Sequence, residues 1–139
     1  MSQSIELPHA RLEDLTRLHD FVEAVCRESG ANEDVAYALR LAMEEVCTNI
    51  IKHGYKDQPA GPIALTMRAE NGQIVLTIVD RARPFSPDDA PPADMNPDLA
   101  KRKIGGLGWH LVKHAVDQVL HEPNPGGGNQ VTLIKKFNR

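Results

Sequence analysis

The 139-residue sequence holds only two cysteines, Cys26 and Cys47. That is too few for a disulfide framework or a cysteine-rich zinc module, and it fits a reducing cytosol, so the expected location is cytoplasmic. Long apolar runs are also missing, which excludes a membrane-spanning helix. The opening residues Met-Ser-Gln-Ser-Ile-Glu-Leu-Pro-His-Ala lack a basic stretch followed by an apolar one, so no secretory signal is expected. The net charge of -3 excludes a broadly basic face, and direct nucleic-acid binding is not expected. Several nucleotide signatures are absent as well. There is no G-x-x-x-x-G-K-[ST] loop, no G-x-G-x-x-G turn, and no H-R-D or D-F-G of the common protein-kinase fold. What remains is 41% apolar and 25% charged, the composition of an ordinary globular protein, with length for one domain over 1–139.

Hydrophobic spacing divides the chain into elements. Residues 3–8 read as a short strand that Pro8 confines to an edge or an end. Leu12, Leu15, Leu18, Val22 and Val25 recur at three or four residues, an amphipathic helix over 11–29 with Gly30 as its stop. Asn32 caps a second helix carrying Val35, Leu39, Ala42, Val46 and Ile50, which should end near His53-Gly54. Ile63, Leu65 and Met67 alternate with more polar residues as in a strand, Asn71-Gly72 marks a tight hairpin, and Ile74 to Asp80 is the return strand. Residues 82–103 carry five prolines and four aspartates, a loop long enough to expect a functional lid. Lys101, Arg102 and Lys103 stand at its end, ready to meet phosphates. A helical pattern runs from the glycines at 105–108 through Val119, and a strand closes the chain from Gln130 to Phe137.

Chemistry concentrates at a few positions. Glu45, Asn49 and His53 recur every four residues along one helix face, beside the apolar stripe. Such a carboxylate and amide bind a metal, position a water or hydroxyl, or simply border the core in solvent. Asp80 shares its strand face with Ile74, Leu76 and Ile78, so its carboxylate needs hydrogen-bond partners. A ligand amino group is one such partner, and a cap on the following loop is another. Gly105-Gly106-Leu107-Gly108 opens a helix, where backbone amides favour phosphate. His110 and His114 are four apart but lack the H-E-x-x-H pattern and are read as solvent-facing, while Trp109 and both cysteines are read as packing residues.

In this order the pieces resemble one family. Glu45, Asn49, His53, Gly54 and Tyr55 reproduce the E-x-x-x-N-x-x-x-H-G-Y box of the GHKL ATPases, in the form seen in the anti-sigma-factor serine kinase branch, the RsbW and SpoIIAB type. Asp80 to Phe85 resembles the D-x-G-x-P-F motif, with Ala82 where glycine is usual. Gly105 to Gly108 resembles the third motif, and Gly128 to Leu133 the closing G-N-x-h-T-h segment, h being apolar.

The resemblance implies an α/β (α+β) two-layer sandwich: a mixed, mostly antiparallel sheet with helices on one face. It implies ATP and Mg²⁺ as cofactors. Asn49 would be the metal ligand and Glu45 the catalytic base toward the substrate hydroxyl. His53, Ala82, Gly105, Gly106, Leu107 and Gly108 would line the nucleotide site, Asp80 would accept the adenine amino group, and Thr132 would support the adenine end. The length leaves no room for the phosphoacceptor hairpin of a sensor histidine kinase or the transducer of a gyrase. The implied activity is a serine/threonine protein kinase that phosphorylates a STAS-type antagonist in a partner-switching system. Released from the antagonist, it would sequester a sigma factor or another output protein, with a homodimer as the implied assembly. The alternative is a kinase-inactive, nucleotide-sensing module that sequesters a regulatory partner.

Overall fold

A computed structural model describes residues 2–83, 106–124 and 126–137. Strand β1 (Ser2–Leu7) leads through a short 3₁₀ turn at Leu12–Asp14 into helix α1 (Leu15–Glu28). Helix α1 ends at Gly30, where the Ala31 N–H reaches back to the Cys26 carbonyl at 3.0 Å. Helix α2 (Glu33–Asn49) starts as its sequence dictates: the Asn32 side chain accepts the Val35 N–H at 3.0 Å, and Glu33 and Asp34 occupy the positive end of the dipole.

The helix does not stop at Asn49. It widens into a π turn over Ile50–Gly54, closed by the Tyr55 N–H on the Ile50 carbonyl at 2.9 Å. Strands β2 (Ile63–Glu70) and β3 (Gln73–Asp80) form the expected hairpin. Its turn residues Asn71 and Gly72 both adopt positive φ, 52° and 74°. Helix α3 (Gly106–Ala115), β4 (Gln118–Pro123) and β5 (Asn129–Lys136) complete the described chain.

The five strands form one sheet in the order β1-β2-β3-β5-β4, with β1 at one edge. Every pairing is antiparallel, so the described sheet has no parallel component and is not mixed. The three helices supply the second layer. Leu18, Val22 and Cys26 of α1, Leu39, Met43 and Val46 of α2, and Val112 of α3 are buried in one core with Ile63, Leu65 and Met67 of β2, Leu76 and Ile78 of β3, and Val131 and Leu133 of β5. This is the two-layer α+β sandwich that the sequence led us to expect.

One element departs from expectation. The helical pattern read through Val119 ends at Ala115, and Gln118–Pro123 is instead an edge strand. It pairs with β5 so that Val119 lies opposite Leu133 and His121 opposite Val131. The apolar spacing of Leu111, Val112, Ala115 and Val119 continues by chance into a strand, where pairing with β5 decides the conformation. Among the described residues, no helix is long and apolar enough to cross a membrane.

Candidate functional site

Helix α2 is packed between α1 and α3, and its two flanks differ. Arg40 reaches Glu23 of α1 at 3.8 Å and Glu33 at 2.9 Å, while Glu44 lies 3.8 Å from His19 of α1. These residues mark the flank turned to α1. Glu45 and Asn49 lie on the opposite flank at about 100° per residue, both half-buried. The neighbouring carboxylates are therefore separated: Glu44 belongs to the α1–α2 contact, and Glu45 lies on the other flank of α2. Helix α3 begins at Gly106, so Gly106, Leu107 and Gly108 fall in its first turn, where backbone N–H groups lack helical acceptors. Gly105 and, of the lid expected over 82–103, residues 84–103 with Lys101, Arg102 and Lys103 lie outside the described residues.

Asp80 ends β3 on the helix side of the sheet and is 1% exposed. Its Oδ1 accepts two hydrogen bonds, from the Ala82 N–H at 2.7 Å and from Asn129 Nδ2 at 3.1 Å. Its Oδ2 is buried with no hydrogen-bond partner among the described residues. Burial pushes the carboxyl above its ordinary value, and the Asn129 and Ala82 donors pull it back down. An unmet acceptor of this kind is costly, so the site calls for a donor that the described residues do not provide. An amino group on a purine ring has that chemistry, and Asp80 fits the adenine expectation on this ground.

Asn129 is the residue that sequence reasoning passed over in favour of Thr132. Asp80 and Asn129 are register partners, as are Ile78 and Val131, whereas Thr132 pairs with Thr77. Successive residues of a strand face opposite sides, so Thr132 points away from the helices and away from Asp80. The assignment of Thr132 to the adenine end is corrected accordingly. Asn129 is fully buried, and its Nδ2 also donates to the Arg83 carbonyl at 3.0 Å. The signal for it was present in Gly128-Asn129, but reading it requires knowing that β5 pairs with β3. Gly128, at φ 94°, passes so close to β3 that a Cβ there would collide with the Asp80 carbonyl and the Arg81 backbone.

The segment after Asp80 is held from two sides. The Tyr55 hydroxyl donates to the Pro62 carbonyl at 2.6 Å and accepts the Arg81 N–H at 2.9 Å. Burial raises the phenol's pKa, so it keeps its proton and its donor role. Ala82 is buried, and its backbone does not adopt positive φ. The usual glycine is therefore not needed for conformation. The extra methyl is matched by Gly54, where a Cβ would approach the Ala82 Cβ to 2.7 Å. His53, on the π turn, is exposed.

The remaining sequence candidates are structural. The His110 and His114 rings stack 5.8 Å apart on the exposed side of α3. Trp109 and both cysteines are buried. Burial pushes the Cys26 thiol up to about 11 and raises Cys47 as well, so neither is an activated thiolate. No cluster of three His, Cys, Asp or Glu capable of holding a metal occurs among the described residues. A cation here would need to be shared between few protein atoms and other oxygens. The Asn49 amide oxygen suits Mg²⁺ bound in that way, together with phosphate and water.

Comparison with known proteins agrees with this geometry. The chain is 25% identical over 121 residues to a serine-protein kinase RsbW of Bacillus velezensis, covering 84% of this chain and 74% of that protein. It is 26% identical over 132 residues to an anti-sigma F factor of Geobacillus stearothermophilus, covering 92% and 88%. Among solved structures, the RsbU and RsbW domains of a Mycobacterium tuberculosis protein superpose with a TM-score of 0.69 at 15% identity, over 99% of this chain and 33% of that one. The sensor histidine kinase MprB from a mycobacterium gives 0.56 at 16% identity, over 99% of both chains. The family described as histidine kinase-like ATPase domain matches residues 9–135, nearly the whole sequence, and the chain belongs to that family.

Proposed function

We propose that this chain is an ATP-dependent serine/threonine protein kinase of the anti-sigma type, acting in the cytoplasm as a single domain. Its substrate is a STAS-type antagonist, and its output partner is a sigma factor or another regulatory protein. The relatives named serine-protein kinase RsbW and anti-sigma F factor support this reading at the level of the whole chain. The observation that carries it is the buried Asp80 carboxylate with one oxygen committed and the other awaiting a donor.

ATP supplies the phosphoryl group, and Mg²⁺ neutralises charge on it. Asp80 accepts the adenine amino group, and the exclusion of water around it sharpens the selection. Asn49 offers its amide oxygen to the cation. Gly106 and Gly108 leave the first turn of α3 unobstructed toward phosphate, with Gly105 just before it and His53 at the rim. Glu45 is half-buried and free of the ion pair that engages Glu44, so it serves as the base. It takes the proton of the attacking serine or threonine hydroxyl, a contribution of about 10²–10⁴ in rate. The phosphate placed on the antagonist adds about -1.5 to -2 charges, enough to break a complementary interface.

The test is phosphate transfer. The protein is incubated with ATP, Mg²⁺ and a STAS-domain protein from the same genome, and the partner's intact mass is followed. A mass gain of one phosphate is expected. Failure of transfer by a protein that binds both ATP and partner moves the assignment to a kinase-inactive nucleotide sensor.

A further inference from the structure

Asp80 does not stand alone. Asn129 Nδ2 faces two groups that can only accept, the Asp80 carboxylate at 3.1 Å and the Arg83 carbonyl at 3.0 Å. That fixes the orientation of the amide: nitrogen toward Asp80, oxygen away from it. The amide oxygen in turn lies 3.1 Å from His121 Nε2. An oxygen there can only accept, so His121 must carry a proton on Nε2. Three side chains thus form a directed chain of donors, from His121 to Asn129 to Asp80, across adjacent strands β4, β5 and β3. It ends on Oδ1 and leaves the buried Oδ2 as the uncommitted acceptor of the carboxylate.

We propose that His121 and Asn129 are positioning residues that set base specificity, holding Asp80 so that it presents an acceptor to a purine 6-amino group and rejects a 6-oxo group. The inference rests on the nucleotide reading above and adds the residues that enforce it.

The terminal torsion of an aspartate is broad and nearly two-fold, so an unheld carboxylate can turn either oxygen into the site. Two donors on Oδ1 remove that freedom. The same donors also oppose the effect of burial on protonation. Without Asn129, a buried Asp80 takes up a proton more readily. A protonated carboxyl can donate to a 6-oxo group, and the discrimination collapses. His121 acts one step further out, by keeping the Asn129 amide from inverting. An inverted amide would set oxygen against carboxylate.

The experiment measures affinities of the full chain for ATP and inosine triphosphate, which differ at position 6 as amino against oxo and in the N1 proton. Titration calorimetry is run on wild type, Asn129→Ala, His121→Leu and His121→Gln. The wild type prefers ATP. Asn129→Ala reduces that preference at least tenfold, His121→Leu reduces it several-fold, and His121→Gln, whose amide can also donate, retains it. A residue that only supports the fold weakens both nucleotides alike and leaves their ratio unchanged. Because Asn129 is fully buried, its alanine variant can fail to fold. His121 is only half-buried, and its pair of variants carries the test in that event. An unchanged ratio in Asn129→Ala or in His121→Leu overturns the proposal. Wild-type protein that binds ATP but not selectively overturns it as well. Wild-type protein that binds no purine nucleotide overturns the nucleotide reading itself, and this proposal with it.

Discussion

Replacing Asp80 by asparagine separates stability from binding. Asp80 is 1% exposed, and among the described residues only one of its oxygens is partnered. In Asp80→Asn the amide oxygen still accepts from Ala82 and Asn129, while a neutral NH₂ replaces the unmet charged oxygen. Exchanging a buried unpaired charge for an equally unpaired but neutral amide is worth about 1–3 kcal/mol. At this chain length that is a Tm rise of about 3–10 °C for the nucleotide-free protein.

Binding changes in the opposite direction, because a donor now faces the adenine amino group. Loss of a hydrogen bond to a charged acceptor costs about 1.5–3 kcal/mol, or roughly 10–150-fold in Kd. The pH dependence has a definite sign. The folded-state pKa of Asp80 is raised by burial, so the folded form holds its proton after the unfolded chain has released one. Its contribution is fully present below the ordinary carboxylate pKa and is lost as pH rises through the higher folded value. The advantage of Asp80→Asn is therefore small near pH 3.5 and full at neutral pH. Calorimetric melting from pH 3.5 to 8, with ATP titration at pH 7.5, checks both halves. A variant that is less stable at neutral pH, or that binds ATP as tightly as wild type, refutes the reasoning.

Three further substitutions test the other positions. Asn49→Ala should erase the Mg²⁺-dependent increment of ATP affinity and leave the metal-free affinity unchanged in titrations with and without the cation. Glu45→Gln should abolish phosphate transfer to the STAS partner, read by intact mass, while ATP and partner affinities stay within a few-fold. Normal transfer would remove Glu45 as base. Thr132→Val should leave ATP affinity within about twofold and stability within about 0.5 kcal/mol, as expected away from the site. A tenfold loss of affinity would contradict the strand-face assignment.

Local rules were legible where a single segment decides its own conformation. The Asn32 cap, the Asn71-Gly72 turn and the alternation in β2 and β3 are of this kind, and each element appears where its pattern placed it. Strand β4 was not legible, because an apolar period of three or four residues runs past Ala115 into a segment whose state is set by pairing with β5. The same limit applies within the site. Asp80 was readable as a carboxylate on an apolar face. Its partner lies 49 residues away and is brought to it only by the β3–β5 register. Motif order located the strand but picked Thr132, on its wrong face. Glu44 and Glu45 were separable by spacing to Asn49, and Glu44 lies 3.8 Å from His19 of α1.

The π turn after Asn49 has a consequence for which chain lengths the fold can tolerate. A residue inserted into an α-helix turns everything beyond it by about 100°. Here the wide turn absorbs an odd residue just after the helix segment bearing Glu45 and Asn49, and the phase it sets brings the Tyr55 hydroxyl between Pro62 and Arg81. Deleting one residue between 50 and 54 would restore regular helical winding yet swing Tyr55 off that bridge. The segment entering the Asp80 loop would lose its tether although every side chain proposed to meet nucleotide is intact. Length between Asn49 and Tyr55 is thus as strict a requirement as the identity of either residue.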